Sequence, residues 1–106
     1  MTEKEIYNAL KTLKIPVAYR QFNHSVSIPC IVYYVDYENQ YGGDECENLI
    51  AQKNIILELY TAKKDIVLEN KIHEILKNVE HTVNEYTVDN ALMIVFEYSV
   101  FEKLEV

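Results

Sequence analysis

The order in which helical and strand-like periodicities follow one another constrains the fold of this chain most. Residues 3–14 and 66–79 carry apolar side chains at helical spacing, and Thr2 and Asp65 precede them as residues that can cap a helix. Five further stretches have the composition of β-strands, namely residues 17–22, 30–37, 51–62, 81–89 and 91–104. The predicted order is therefore α-β-β-β-α-β-β.

This order predicts an α+β fold in which one sheet, mainly antiparallel or mixed, carries both helices on a single face. The helix between the third and fourth strands permits a crossover, which would make part of the sheet parallel. The 106 residues are enough for one domain with its own core, because 49% of them are hydrophobic. Since no repeat or linker divides the sequence, we interpret residues 1–106 as a single domain.

The strands at 30–37 and 91–104 are apolar on both faces, whereas two helices on one side can cover only one face. The other face needs a partner or becomes an exposed apolar patch, and a cyclic oligomer would cover it. Candidates for that face are Tyr33 or Tyr34, Tyr60, Tyr98 and Phe101. The candidate intersubunit residues are Arg20, Glu58, Tyr60, Glu97 and Tyr98. For Arg20, pairing with a carboxylate of its own chain and a solvent-facing position remain open alternatives.

An acidic segment that contains both glycines follows the second strand. It fails as a calcium-binding loop, because a loop that starts at Asp36 has Tyr41 at its sixth position, where a glycine is required. A solvated hairpin loop and a protein-contact loop that becomes ordered on docking remain as interpretations. The candidate residues for an assembly contact or a lumen lining are Asp36, Tyr37, Glu38, Tyr41, Gly42, Gly43, Asp44, Glu45 and Glu47.

No motif for catalysis, metal binding or cofactor binding is present. His24, His73 and His81 form no zinc-binding pair and are expected at the surface or at a boundary, and the two cysteines, Cys30 and Cys46, lack the spacing of zinc ligands. The net charge of −7 argues against binding to nucleic acid, which requires clustered basic residues. The sequence also lacks a basic amphipathic helix and any apolar run long enough to span a membrane. We therefore predict no enzymatic activity, no metal and no cofactor.

Four stretches, which together cover nearly the whole chain in order, carry a resemblance to a known family. They are KIPVAYRQF, CIVYYVDYENQYGGDE, NIILELYTAKKD leading into LENKIHEIL, and ALMIVFEYSV. They resemble small head–tail junction proteins of siphophages and prophages of Gram-positive bacteria, in particular the tail terminator, or tail completion, family. The chain departs from the family pattern where Ile66 follows Asp65, since a proline often stands there.

The resemblance implies a virion protein that forms a ring, commonly a hexamer, at the top of the tail tube. Such a ring ends tube growth and docks to the head connector or head-completion protein. DNA passes through it without specific binding, and the protein is assembled in the cytoplasm of the host bacterium. The residues leave one alternative open, a small-molecule-binding or regulatory α+β domain of an intracellular protein, which would need a concave pocket with convergent polar groups.

Overall fold

A computed structural model describes residues 1–41 and 50–103 of the chain. The fold is α+β, and the elements follow the predicted order α-β-β-β-α-β-β. The helices are α1 (Glu3–Lys11) and α2 (Ile66–Ile75), and the strands are β1 (Val17–Tyr19), β2 (Cys30–Tyr41), β3 (Ile50–Thr61), β4 (Thr82–Val88) and β5 (Ala91–Lys103).

The strands form one sheet in the order β1-β2-β3-β5-β4. Its pairs are antiparallel except for β1 and β2, which run parallel. The parallel pair therefore lies at one edge of the sheet and does not involve the strands on either side of α2. The α2 connection carries the chain past the position of β5, so that β5 fills the space between β3 and β4.

The core lies between one face of the sheet and the two helices. Side chains opposite one another on the three central strands form rows, such as Tyr33, Leu57 and Phe96, on this face. The helices add apolar residues to the same cluster, namely Ile6, Leu10, Leu68, Ile72 and Leu76. The prediction that both helices pack on one face is therefore confirmed.

Both helices begin at their predicted caps but end earlier than predicted. Thr2 and Glu5 form a capping box at α1, and the Asp65 carboxylate accepts the amide of Leu68 at 3.0 Å at α2. Beyond the helix ends, the amides of Leu13 and Val79 donate to carbonyls three residues back, at 3.0 and 2.9 Å. Both side chains still pack against the core. The apolar stripe thus continues into a tighter turn, which is why periodicity alone overestimates helix length.

The acidic segment is shorter than predicted, because β2 continues to Tyr41 and pairs with β3 from Ile50. Glu38 therefore lies in the ladder opposite Lys53, and its carboxylate is 3.9 Å from the lysine Nζ. A bulge between Val35 and Tyr37 shifts the register, so the predicted alternation of faces does not hold beyond it. The other predicted loop residues, Gly42, Gly43, Asp44, Glu45 and Glu47, lie outside the described residues.

Two turns with positive φ limit the strands at the edges of the sheet. Arg20 has a φ of 66° and ends β1 after three residues, where the sequence predicts a strand to residue 22. Asp89 and Asn90 have φ values of 47° and 68° and form the predicted tight turn between β4 and β5.

Candidate functional site

The side chains that alternate with the core rows point away from both helices and form a second surface, which we call the helix-free face. Alternation in β3 and β5 places Ile56 and Glu58 on this face, beside Val95 and Glu97 of the neighbouring strand. At the end of β5 the Phe101 side chain is 63% exposed. The described members of the face include Cys30, Val32, Tyr34, Asn54, Ile56, Glu58, Tyr60, Tyr86, Met93, Val95, Glu97, Ser99 and Phe101.

Glu58 lies half-buried at the centre of the helix-free face. The hydroxyls of Tyr34 and Tyr60 donate to its two carboxylate oxygens, at 3.2 and 2.8 Å. Val32 and Val95 stand opposite it on the neighbouring strands. Burial and the hydrogen bond to Glu58 raise the pKa of Tyr60 well above its ordinary value. The two tyrosines therefore remain neutral donors that hold one carboxylate in an apolar surrounding.

A second carboxylate, that of Glu97, lies on the next strand with its own polar partners. The buried Asn54 donates its amide to Glu97 at 2.6 Å and accepts the hydroxyl of Ser99 at 3.3 Å. Glu97 and Glu58 are diagonal neighbours, because Glu97 stands opposite Ile56. The helix-free face therefore carries two negative charges a few side chains apart.

These two carboxylates differ from the acidic residues beside α1 in lacking a counterion. On the helix side, Lys53 is 3.1 Å from Glu3 and 3.1 Å from Glu102. Among the described side chains, no lysine, arginine or histidine nitrogen lies within 4.0 Å of the carboxylate of Glu58 or Glu97. A half-buried charge without a counterion is unfavourable, so a cationic group from a partner would stabilise this face.

Arg20 lies at the edge of the sheet beside β2. Its Nη2 donates to the backbone carbonyl of Val35 at 3.3 Å, and its guanidinium lies over the rings of Tyr19 and Tyr34. Among the described residues, no carboxylate lies within 4.0 Å of this guanidinium. Arg20 thus protects the edge of its own sheet, and its role between subunits stays a prediction.

Tyr98 does not belong to the helix-free face. It is 2% exposed, lies in the core cluster beneath the helices, and donates its hydroxyl to the carbonyl of Met1 at 3.1 Å. Tyr33 lies on the same covered face. The predicted place of Tyr98 on the uncovered face is therefore wrong, because strand alternation places it with Phe96 and not with Glu97, and its role between subunits stays a prediction. Glu58, Tyr60 and Glu97 lie together on the helix-free face, where their role in assembly stays a prediction.

A notch interrupts the sheet beside β5. The first residue of β4, Thr82, stands opposite Glu97, whereas β5 continues to Lys103. A cavity of about 450 Å³ lies at this step, and its lining includes His81, Asn54 and Glu97. Polar groups from the segment after α2 and from the sheet therefore converge where β4 begins.

Sequence reasoning missed a contact between two histidines. Nδ1 of His73 is 2.9 Å from Nε2 of His81, and Nδ1 of His81 is 2.7 Å from the carbonyl of Val79. Because a carbonyl only accepts, Nδ1 of His81 carries hydrogen, and in the neutral ring Nε2 of His81 then accepts from His73. Both rings pack beside Phe96. The only signal of this contact in the sequence is the spacing of eight residues between His73 and His81. That signal is weak, because α2 ends between the two histidines and helical spacing no longer applies.

No group of three or more potential metal ligands occurs among the side chains that the structure describes. Cys30 is buried, as predicted, and burial raises the pKa of its thiol above the ordinary value. Cys46 lies outside the described residues.

Two groups on the helix side of the sheet, the buried Tyr98 and the half-buried Lys53, make stability sensitive to alkaline pH. Burial, together with nearby carboxylates, raises the pKa of the Tyr98 hydroxyl. Burial lowers the pKa of Lys53, but its hydrogen bonds to Glu102 and Glu3 outweigh this, and the net shift is upward. Both groups keep their proton to a higher pH in the folded protein than in the unfolded chain. Their contribution to stability is therefore complete below the unfolded pKa values and is lost as pH rises through the folded ones.

We expect the free energy of unfolding to fall as pH rises above about 10, where tyrosine and lysine begin to lose their protons in the unfolded chain. Denaturant titrations between about pH 8 and about pH 11 measure this directly. Replacing Tyr98 with phenylalanine should make the decline shallower, because one of the linked protons is removed. An unchanged slope in that variant would contradict the assignment.

Comparison with known proteins does not assign the chain to a family: no family model matches it, and no curated protein matches it significantly. Within the described ranges, neither helix has the length and apolarity that crossing a membrane requires.

Proposed function

We propose that this protein is a structural subunit of a phage or prophage head–tail junction, and specifically a tail terminator that caps the tail tube as a ring and docks to the head connector. The helix-free face is the observation that carries the proposal. It combines two exposed aromatic side chains, those of Tyr86 and Phe101, with two carboxylates that have no counterion among the described residues. An uncovered sheet face of this kind is typical of an assembly surface.

The resemblance supports the same role, because its stretches correspond to the centre of the fold. One forms β2, another forms β3 and the turn into α2 that Asp65 caps, and a third forms most of β5. These elements build the helix-free face. In a ring, each subunit would contact its two neighbours through two different surfaces. A closed ring forms when a whole number of the rotations that relate neighbouring subunits makes one full turn. The net charge of −7 would repel DNA that passes through the lumen.

The test is to add the purified protein to tail tubes that are still able to lengthen, and to measure tube length and end structure by electron microscopy. We expect tubes to stop growing and to carry a ring of added density at one end. Mass measurements over a range of concentrations give the assembly state in parallel. A subunit that remains monomeric at high concentration and leaves tube growth unchanged would contradict the proposal. A monomer that nevertheless caps tubes would support it, since assembly could then occur on the tube end.

One observation favours a second candidate, a small-molecule-binding domain. The notch beside β5 has a volume of about 450 Å³ and is lined in part by Asn54, His81 and Glu97, which is within the size range of ligand pockets. Screening a metabolite library by ligand-observed NMR tests this alternative. Binding that is lost on replacing Asn54 with leucine would support it, and the absence of any binding would exclude it.

A further inference from the structure

The second half of β5 has a free edge. β4 pairs with β5 only over residues 91–97, whereas β3 pairs with β5 as far as Lys103. Residues 98–103 therefore have β3 on one side and, among the described residues, no strand on the other. Six residues of strand extend over about 20 Å, which is the length of an ordinary strand in a globular protein.

The corresponding edge on the other side of the sheet is protected near its start. β1 stops opposite Tyr33 and leaves the rest of β2 uncovered, but Arg20 turns back and donates to the carbonyl of Val35. A charged side chain across an edge is a common way to prevent further strands from pairing. Beyond Val35 the outer edge of β2 has no strand beside it among the described residues, and neither has the outer edge of β4; the edge of β5 differs from both in the notch and the carboxylates beside it.

The surroundings of this edge fit an added strand. The notch of about 450 Å³ lies beside the first residue of β4, where a strand in line with β4 would begin. Ser99 and the strongly exposed Phe101 offer side-chain contacts on the helix-free face. Glu80 and Glu97 line the notch, and Glu97 has no counterion among the described side chains. The edge is therefore acidic as well as open.

We propose that the free edge of β5, residues 98–103, binds an extended segment of another protein that carries lysine or arginine at alternate positions. Backbone hydrogen bonds would add this segment to the sheet, and its basic side chains would face Glu97 and Glu80. The inference does not depend on the role in a head–tail junction.

The test uses the full-length protein and an acetylated, amidated octapeptide of alternating lysine and valine. We expect the peptide to shift the NMR signals of residues 98–103 and to protect their outward amides from hydrogen exchange. A peptide with glutamate in place of lysine should bind at least about tenfold more weakly, which corresponds to about 1.4 kcal/mol. A lysine peptide with N-methyl groups at every second residue should not bind, because it cannot pair along its backbone.

Matched variants distinguish peptide binding at the β5 edge from attraction of the basic peptide to the acidic surface in general. Replacing Glu97 with glutamine should weaken binding of the lysine peptide severalfold. The control is Glu74→Gln on the exposed side of α2, where the side chain is 72% exposed, and it should leave binding unchanged. The proposal is overturned if the lysine peptide does not bind, if it protects residues 34–41 instead, or if both charge forms bind equally. Protection of residues 98–103 by self-association without peptide would overturn the choice of a different chain as partner.

Discussion

Replacement of Phe96 by alanine should lower the free energy of unfolding by about 3–5 kcal/mol. The ring is fully buried at the centre of the core, between Leu57 of β3 and Val83 of β4 in the register of the sheet. It also contacts His73 edge to face, with ring centroids 5.2 Å apart. The variant would lose this burial and leave a cavity that the sheet cannot close. Because domains of this size are stable by about 5–15 kcal/mol, the loss should be visible as partial unfolding at moderate denaturant.

Phe101 provides the matched control, because it is the same residue type on the same strand but on the opposite face. Its side chain is 63% exposed, so Phe101→Ala should change the free energy of unfolding by less than about 0.5 kcal/mol. Denaturant titrations followed by circular dichroism measure both variants. Equal losses would show that the helix-free face is covered within the monomer, and would remove the main support for an assembly surface.

The Glu58→Lys variant should abolish capping of tail tubes while the protein still folds. The substitution places a positive charge where a basic partner would meet a carboxylate, and removes the acceptor of the Tyr34 and Tyr60 hydroxyls. Two hydrogen bonds to a charged carboxylate are worth about 3–6 kcal/mol together, which is less than the stability of most domains, about 5–15 kcal/mol. The measurements are tube length by electron microscopy and the free energy of unfolding of the same preparation.

The Glu74→Lys variant is the control for charge reversal. Glu74 is exposed on α2 and pairs only with Lys77 at 3.1 Å, an i,i+3 contact worth about 0.2–0.5 kcal/mol. We expect this variant to cap tubes like the unmodified protein. A Glu58→Lys protein that folds and caps equally well would show that the helix-free face does not dock to the tube or the connector, although a ring formed by other surfaces would remain open to test.

Much of the fold could be predicted because it depends on neighbouring residues. The caps at Thr2 and Asp65 and the tight turn at residues 89–90 are local hydrogen-bonding and backbone preferences, and the structure has all three. The ends of the helices could not be predicted in the same way. Leu13 and Val79 continue the apolar stripe, but they pack on the core from turns beyond the helices. Periodicity detects burial and does not distinguish a helix from a turn that buries the same side chain.

The candidate site was predicted in part. Alternation correctly grouped Glu58 with Tyr60 and Glu97 with Phe101, yet it could not decide which group the helices would cover. Tyr98 was assigned to the wrong surface although the same alternation separates it from Glu97 and Phe101. The contact between His73 and His81 was missed because it forms across the end of a helix.

The sequence by itself determined the type and order of the elements and which residues share a strand face, because these follow from the local geometry of the backbone. Only the tertiary structure decided which sheet face the helices cover, that β5 lies between β3 and β4, and that residues 98–103 have no second neighbouring strand among the described residues. These features depend on packing between residues far apart in the chain, where several arrangements satisfy the same local pattern. That Glu58 and Glu97 have no counterion among the described side chains became visible only once that packing was known.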